Sequence, residues 1–328
     1  MSPREYIDAL YRLCLGRPVD HESLTAWIAL LETHGDATAL LRALLASDEY
    51  RDHHATAGAA QCRELAQSAL ARLGRRPRVV DIGAQSLGDG SHPYSPLAAM
   101  TAIDIVGFDP LADRLEERAE RETAHGTMQL LPYAIADGRE HTLYVNNIDA
   151  TSSLFPLDLR RNEQFTQLET VQTVRTEQVA TRRLDDVLPP GPVDFFKLDV
   201  QGAELMVLRG GPETTASAAV VHCEVEFSPL YEGQPLYPEI QRELNGHGFE
   251  LIDVLVSHRY YYRTPSGANS PDRLIWADAV FYRETDDAET LVAQALIAAA
   301  VYAKPTLAEY LLDRADATKS GQPLRRRE

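Results

Sequence analysis

The chain has 328 residues, 44% hydrophobic and 25% charged, an ordinary globular composition long enough for two domains at roughly 100–200 residues each. Thirty-two Lys and Arg against 49 Asp and Glu give a formal charge of −17, so the average field repels phosphate-rich polymers and argues against nucleic acid as a partner. Three widely spaced cysteines, Cys14, Cys62 and Cys223, with no CxxC pair, argue against a disulfide framework or a cysteine zinc site and read as buried thiols.

The opening MSPREYIDAL places an acid and a helical pattern where a secretory signal needs an apolar stretch, so the expected location is the cytoplasm. Tyr6, Ile7, Leu10, Tyr11, Cys14 and Leu15 recur at helical spacing and predict a first helix that Gly16 ends. Asp20 caps a second, with Leu24, Trp27, Ile28 and Leu31 on its apolar face. Gly35 and Asp36 separate it from a third carrying Leu40, Leu41, Leu44 and Leu45. Trp27, Tyr11 and Leu24 read as core before sugar platform. A further helix through Cys62, Leu65, Ala66, Ala69, Leu70 and Leu73 ends at Gly74. The predicted division is a small helical domain over 1–55, a linking helix over 56–76, an α/β domain over 77–285, and C-terminal helices and tail over 286–328, with the first boundary near 52–58.

From Arg78 the rhythm becomes βαβ. RVVDIG, IDIVGFD, MQLLPYAIAD, VDFFKLD, AAVVHCEVEF, FELIDVLV and ADAVFYR are seven short apolar runs, with helical PEIQRELNGHG among them. Such runs suit a mostly parallel sheet covered on both faces, an α/β Rossmann-like architecture whose ligands bind outside the carboxyl ends of the strands. The polar stretch 140–181, with HTLYV and TVQTVRTEQVAT, predicts an antiparallel insertion placed to fold over the site. Residues 289–312 read as helical around Leu291, Ala295, Ile297 and Tyr302. LVAQALIAAAVYA is short of the ~20 residues that span a bilayer and carries Gln294, so no transmembrane segment is predicted. SGQPLRRRE reads as a fraying tail.

VVDIGAQSLGDG ends a strand with Asp81 and offers Gly83, Gly88 and Gly90, but the spacing fits neither a G-x-G-x-x-G dinucleotide loop nor a Walker loop. What remains is a close backbone approach at Gly83 beside a carboxylate suited to a cationic group. Asp109, in GFDP, follows Asp81 by 28 residues and suits the two hydroxyls of a ribose. Asp137, in AIAD, ends the third predicted strand. Three acids at three successive strand ends point to an adenosyl ligand. Without phosphate-binding lysines the fitting one is S-adenosylmethionine, which favours methyl transfer over hydride transfer.

The sharpest segment is RLDDVL followed by VDFFKLDVQGAELMVLRGG, which brings Lys197 and Asp199 to the sheet edge, then Gly202 and Glu204. Here the chain resembles the FkbM family of methyltransferases, whose signature is a strand ending K-x-D-x-E-G-x-E before a Leu-x-Gly segment. The resemblance covers about 77–283 and includes VVDIGA, FDP, AIAD, TSSLF at 151–155 and EVEFSPLY. It implies a class I (Rossmann-like) methyltransferase fold with a seven-stranded mostly parallel sheet and a preceding all-α domain. It further implies S-adenosylmethionine on Asp81, Gly83, Ala84, Asp109, Ala136 and Asp137, and methylation of oxygen on sugar or polyketide hydroxyls. Gln85 replaces the family's Asn, and Gln201 its first Glu. Those departures leave an alternative open, a binding or scaffold protein without turnover. LGR-x-x-D, Leu24-x-x-Trp27 and SDEY resemble a small helical domain found beside glycan-modifying enzymes, which favours a glycan acceptor over another small molecule.

A hydroxyl must lose its proton as the new bond forms. Asp199 is the first choice of base, with His222 and Glu224 as further candidates, since strand alternation puts His222, Glu224 and Glu226 on one face. A divalent metal on Asp199 and Glu224 is the less favoured route. Ser152, Ser153, Glu204, His258, Arg259 and the tyrosines 260–262 are the candidate acceptor-cleft residues. A homo-oligomer is compatible with this reading.

Overall fold

The computed structural model describes residues 2–15, 17–20, 23–28, 44, 47–85, 92–122, 126–267 and 270–320. The readings placed on Gly16, Leu31, Gly35, Asp36, Leu40, Leu41, Leu45, Gly88, Gly90 and 321–328 lie outside them. Helix α1 spans Pro3–Leu15. Asp20 accepts from Ser23 N–H at 2.8 Å as the expected cap. Ile7, Tyr11, Cys14, Leu24 and Leu44 form one buried cluster, in which Trp27 donates to the Tyr11 hydroxyl at 3.1 Å. Helix α2 runs unbroken over Asp48–Leu73, so the boundary expected near 52–58 falls inside a continuous helix.

Strands β1 (Arg78–Ile82), β2 (Asp104–Phe108) and β3 (Met128–Leu131) lead to an antiparallel pair, β4 (Glu140–Asn146) with β5 (Thr173–Ala180). Then come β6 (Val193–Leu198), β7 (Ala218–Glu226), β8 (Phe249–Tyr260) and β9 (Arg273–Arg283). The sheet order is β3-β2-β1-β6-β7-β9-β8. The first five pair in parallel, and β9 runs antiparallel to both neighbours. The order reverses between β1 and β6, which opens a crevice at their carboxyl ends.

The central strands read as mostly apolar runs because both faces are covered. Val79, Phe195 and Val220 pack on one side against Leu291, Ala295, Leu296 and Leu311, while their neighbours Val80, Phe196 and Val221 pack on the other against Leu205, Leu208, Ile240 and Leu244. The first of these layers includes helices α3 (Ala288–Ala300) and α4 (Pro305–Ser320). Gln294, the polar residue in that apolar run, is satisfied by the carbonyls of Ala219 and Arg283 at 3.0 and 2.7 Å. Among the described residues no helix is long and apolar enough to cross a membrane.

Two strands differ from expectation in ways that move the site. The run MQLLPYAIAD is a strand only through Leu131, because Pro132 has no N–H for the ladder and the chain turns away. Asp137 therefore lies six residues past the strand end (137 − 131). The last two strands are longer than FELIDVLV and ADAVFYR, and the added hairpin length carries Tyr260 and Trp276 past the sheet edge. The 140–181 insertion is antiparallel, as expected, and touches the body through the bridges Leu157 to Tyr231 and Phe165 to Tyr262.

Candidate active site

Beneath the loop that follows β1, Asp81 is fully buried. Its Oδ2 accepts from Arg118 Nη1 at 2.8 Å and from the Tyr94 hydroxyl at 2.7 Å, and its Oδ1 lies 3.2 Å from Lys197 Nζ. Burial raises its pKa, but the charges of Lys197 and Arg118 outweigh this and hold it well below the usual carboxylate range. The two cations then reach over it, Lys197 to the carbonyl of Gly83 and Arg118 to that of Ala84, each at 2.7 Å. Asp81 is thus an anchor for the loop and not, as its sequence position suggested, a cleft-lining carboxylate.

The loop is pressed against the next strand end. Gly83 has φ +78°, and a Cβ there would sit 1.8 Å from the Asp199 carbonyl oxygen. The amides of Gly83 and Ala84 both donate to Phe108 O, at 2.9 and 3.0 Å, so they are consumed within the fold. Above them opens a cleft with about 730 Å³ of empty space, bounded by Gly83, Gln85, Asp109, Leu111, Ala134, Ile135, Leu143, Ser152, Ser153, Asp199 and Gln201, among others. Asp109 stands at its rim with Oδ1 engaged by Leu111 N–H at 2.8 Å. Burial pushes its pKa up to about 6. Ala136 and Asp137 lie outside the lining, where Ala134 and Ile135 stand instead. Asp137 is bound to His141 Nε2 at 2.7 Å, at the foot of the β4–β5 pair.

A second cavity, with about 1130 Å³ of empty space, shares Gln85, Ala150, Asp199 and Gln201 with the first. Its walls add Asn162, Lys197, His222, Glu224, Tyr231, Tyr260, Trp276 and Asp278. Gln201, held at φ +56°, donates its amide to Asp199 Oδ1 at 3.0 Å and Glu224 Oε1 at 3.1 Å. Both N–H groups of that amide are thereby spent on the two carboxyls. Burial, then the charges of Asp199, Glu226 and Glu204, push the Glu224 pKa well up. Glu226 is buried and lines neither cavity. His222 Nδ1 is 3.0 Å from the Tyr302 hydroxyl, and its Nε2 is 3.7 Å from Asp278 Oδ1.

The expected acceptor residues divide. Tyr260 lines the second cavity and receives the Trp276 indole N–H at 3.3 Å, while His258 stacks behind on Trp276 with ring centroids 3.5 Å apart. Arg259 is exposed and lines neither space. Ser152 and Ser153 border the first cleft instead. Ser152 Oγ accepts from Asn146 N–H at 3.1 Å, and Ser153 donates to Gln201 O at 2.6 Å, which latches the insertion to the site. Glu204 is buried and accepts from Val200 N–H at 2.8 Å and Gly202 N–H at 3.3 Å. It props the Gln201 turn, and burial raises its pKa to about 7.

Sequence reasoning missed Trp276, Asp278, Tyr231 and Asn162. The first two had a signal, since they are two apart on a strand and so share a face. Their register opposite Glu226 and Glu224 completes it. Among the described residues no group of three or more His, Cys, Asp or Glu side chains is arranged to hold a metal ion.

The first cleft fits an adenosyl sulfonium compound on two observations. The Gly83 contact leaves no room for a side chain at the cleft floor, and Gln85 Oε1 is a buried acceptor with no hydrogen-bond partner among the described residues. Residues 81–251, just over half of the chain, match the methyltransferase FkbM domain. The chain is similar to the 2-O-methyltransferase NoeI of Sinorhizobium fredii, at 29% identity over 165 residues, 48% of this chain and 67% of that protein. Among solved structures it is similar to the magnesium protoporphyrin IX methyltransferase ChlM of Synechocystis PCC 6803 with bound SAM. That likeness has 12% identity and a TM-score of 0.34, over 87% of this chain and 98% of that one. It is also similar to a DUF574 family protein of Streptomyces avermitilis, at 12% identity and a TM-score of 0.33, over 87% and 97%. With a class I sheet order and the matched domain centred on its crevice, the chain belongs to the FkbM family of S-adenosylmethionine-dependent methyltransferases.

Proposed function

We propose that the protein methylates a hydroxyl oxygen on a sugar or sugar-bearing acceptor. One observation carries the reading: two cavities meet at Asp199 and Gln201, one lined by Gly83, Gln85 and Asp109 and the other walled by Trp276, Tyr260 and Tyr231 with Asn162, His222 and Asp278 between them. Aromatic faces suit the C–H faces of a sugar, and the polar groups suit its hydroxyls. The printed activity of the relative NoeI, a 2-O-methyltransferase, supports oxygen as the target.

S-adenosylmethionine, when bound, supplies a methyl group on a positively charged sulfur and is left as S-adenosylhomocysteine. Asp109 would accept from the ribose hydroxyls, Gly83, Ala134 and Ile135 would border the adenosyl group, and Gln85 would offer its carbonyl to an N–H donor. The acceptor sits in the second cavity with its oxygen directed to the shared wall. Asp199 stands on that wall, its Oδ1 held by Gln201 and its Oδ2 3.5 Å from Lys197 Nζ, and takes the hydroxyl proton as the oxygen–carbon bond forms. Positioning the reacting atoms contributes about 7–11 kcal/mol of barrier reduction in well-oriented systems, and a general base about 10²–10⁴-fold in rate.

The test is transfer of radiolabelled methyl from S-adenosylmethionine into a bacterial glycan fraction by the purified protein, with Asp199→Asn beside it. Label in the glycan, falling by about 10²–10⁴-fold in the variant, supports the proposal. Cofactor binding without transfer to any glycan overturns it.

A further inference from the structure

Resting on the reading of the second cavity as the acceptor site, we propose that Tyr302 locks His222 in its Nε2–H tautomer. His222 then turns its Nε2–H toward the Asp278 carboxylate and serves as a donor to the acceptor, and not as the base. Tyr302 lies between α3 and α4, fifty-one residues past the matched domain (302 − 251). Its ring is parallel to the imidazole within 5°, with centroids 6.1 Å apart, and Phe195 flanks the same imidazole at 5.9 Å. These rings fix the plane of His222, and the 3.0 Å contact to Nδ1 fixes its rotation.

The direction of that hydrogen bond follows from the far side of the ring. If Nδ1–H donated to the phenol oxygen, the Nε2 lone pair would face Asp278 Oδ1 at 3.7 Å, an acceptor against an acceptor. If the phenol O–H donates to Nδ1, Nε2 carries the hydrogen and the carboxylate opposes it favourably. Burial keeps the Tyr302 hydroxyl protonated and able to donate. The remaining charged neighbours do not reverse this preference. Lys197, in register beside His222 on β6, is paired with Asp81 and Asp199, and Glu224, two residues along, accepts from Gln201. A histidine held with its proton toward the cavity cannot also take one there, which leaves Asp199 as the base and makes Tyr302 a positioning residue.

The experiment is a two-bond ¹H–¹⁵N correlation spectrum of the full chain labelled at histidine, with His222→Gln identifying the resonance. We expect protonated Nε2 and unprotonated Nδ1 in the wild type, and a shift toward a mixture of tautomers in Tyr302→Phe, which keeps the ring and loses only the hydroxyl. Protonated Nδ1 in the wild type, or an unchanged spectrum in Tyr302→Phe, overturns the proposal. In the methyl-transfer assay, His222→Gln, which retains a donor near the Nε2 position, lowers kcat by about tenfold or less, whereas loss of a base costs about 10²–10⁴-fold. A fall of that larger size also overturns it. If the wild type transfers no methyl, the functional reading fails alone and the spectrum still decides the tautomer.

Discussion

Gln201 Nε2 lies 3.0 Å from Asp199 Oδ1, and the same amide reaches Glu224 Oε1 at 3.1 Å. A neutral donor therefore joins two carboxyl groups at the junction of the two cavities. Gln201→Glu replaces it with a third carboxyl, removing donors from buried Glu224 and half-buried Asp199 and adding like charge. The expected loss is about 1–3 kcal/mol at pH 8. The new acid, its folded pKa raised, has its stabilising contribution present below about 4.3 and lost as pH rises. The variant's deficit should therefore shrink toward pH 5. Urea titrations at the two pH values measure it, and an equal deficit at both shows that charge at position 201 is not what the amide avoids.

Asp109 gives a second pH dependence. Its carboxyl is buried and raised to about 6 in the folded chain, against about 3.9 when unfolded. The folded state therefore holds the proton more tightly, so this group's contribution is present below about 3.9 and lost as pH rises through about 6. Two pKa units correspond to at most about 3 kcal/mol. Asp109→Asn should flatten that part of the stability profile. If the ionised carboxylate accepts the ribose hydroxyls, cofactor affinity should climb from pH 5 to pH 8 in the wild type. Calorimetry showing the same affinity at both, or none lost in the Asn variant, removes the ribose assignment.

The central sheet was legible because β1, β6 and β7 are covered on both faces, and continuous burial leaves a mostly apolar run interrupted only by buried polar groups. The insertion was legible from its polar composition and its two strand-like runs, HTLYV and TVQTVRTEQVAT. Asp81 was not, since its position at a strand end is the same whether it faces ligand or anchors a loop. The difference lies in Arg118, 37 residues away, and Lys197, 116 away (197 − 81). Asp137 was misplaced because the apolar pattern runs on past Pro132 while the hydrogen-bond ladder stops. Ser152 and Ser153 reached the neighbouring cavity because the latch between Ser153 and Gln201 spans 48 residues, and no local pattern encodes such a contact.

The anchoring role of Asp81 separates stability from ligand contact. Lys197→Met removes one of the two cations on buried Asp81, leaving Arg118 alone to offset the carboxylate, and should cost about 1.5–3 kcal/mol. Adding Asp81→Asn should restore part of that loss, since the charge to be compensated is gone. Denaturation of both variants and the double variant gives the coupling. Additive losses would show that Lys197 and Asp81 act separately.

Gly83 and Gly74 share a left-handed backbone, with φ of +78° and +67°, but differ in what surrounds them. An added Cβ at Gly74 meets nothing within 4 Å, while at Gly83 it falls 1.8 Å from Asp199 O. Gly74→Ala should therefore carry backbone strain alone, about 1–2 kcal/mol, with cofactor affinity intact. Gly83→Ala carries the same strain and must also force the β1 loop away from Asp199. It should lose more stability than Gly74→Ala and weaken cofactor binding at temperatures where the chain is still folded. If Gly83→Ala binds the cofactor as tightly as Gly74→Ala does, the contact between the loop and Asp199 is not what shapes the floor of the cleft.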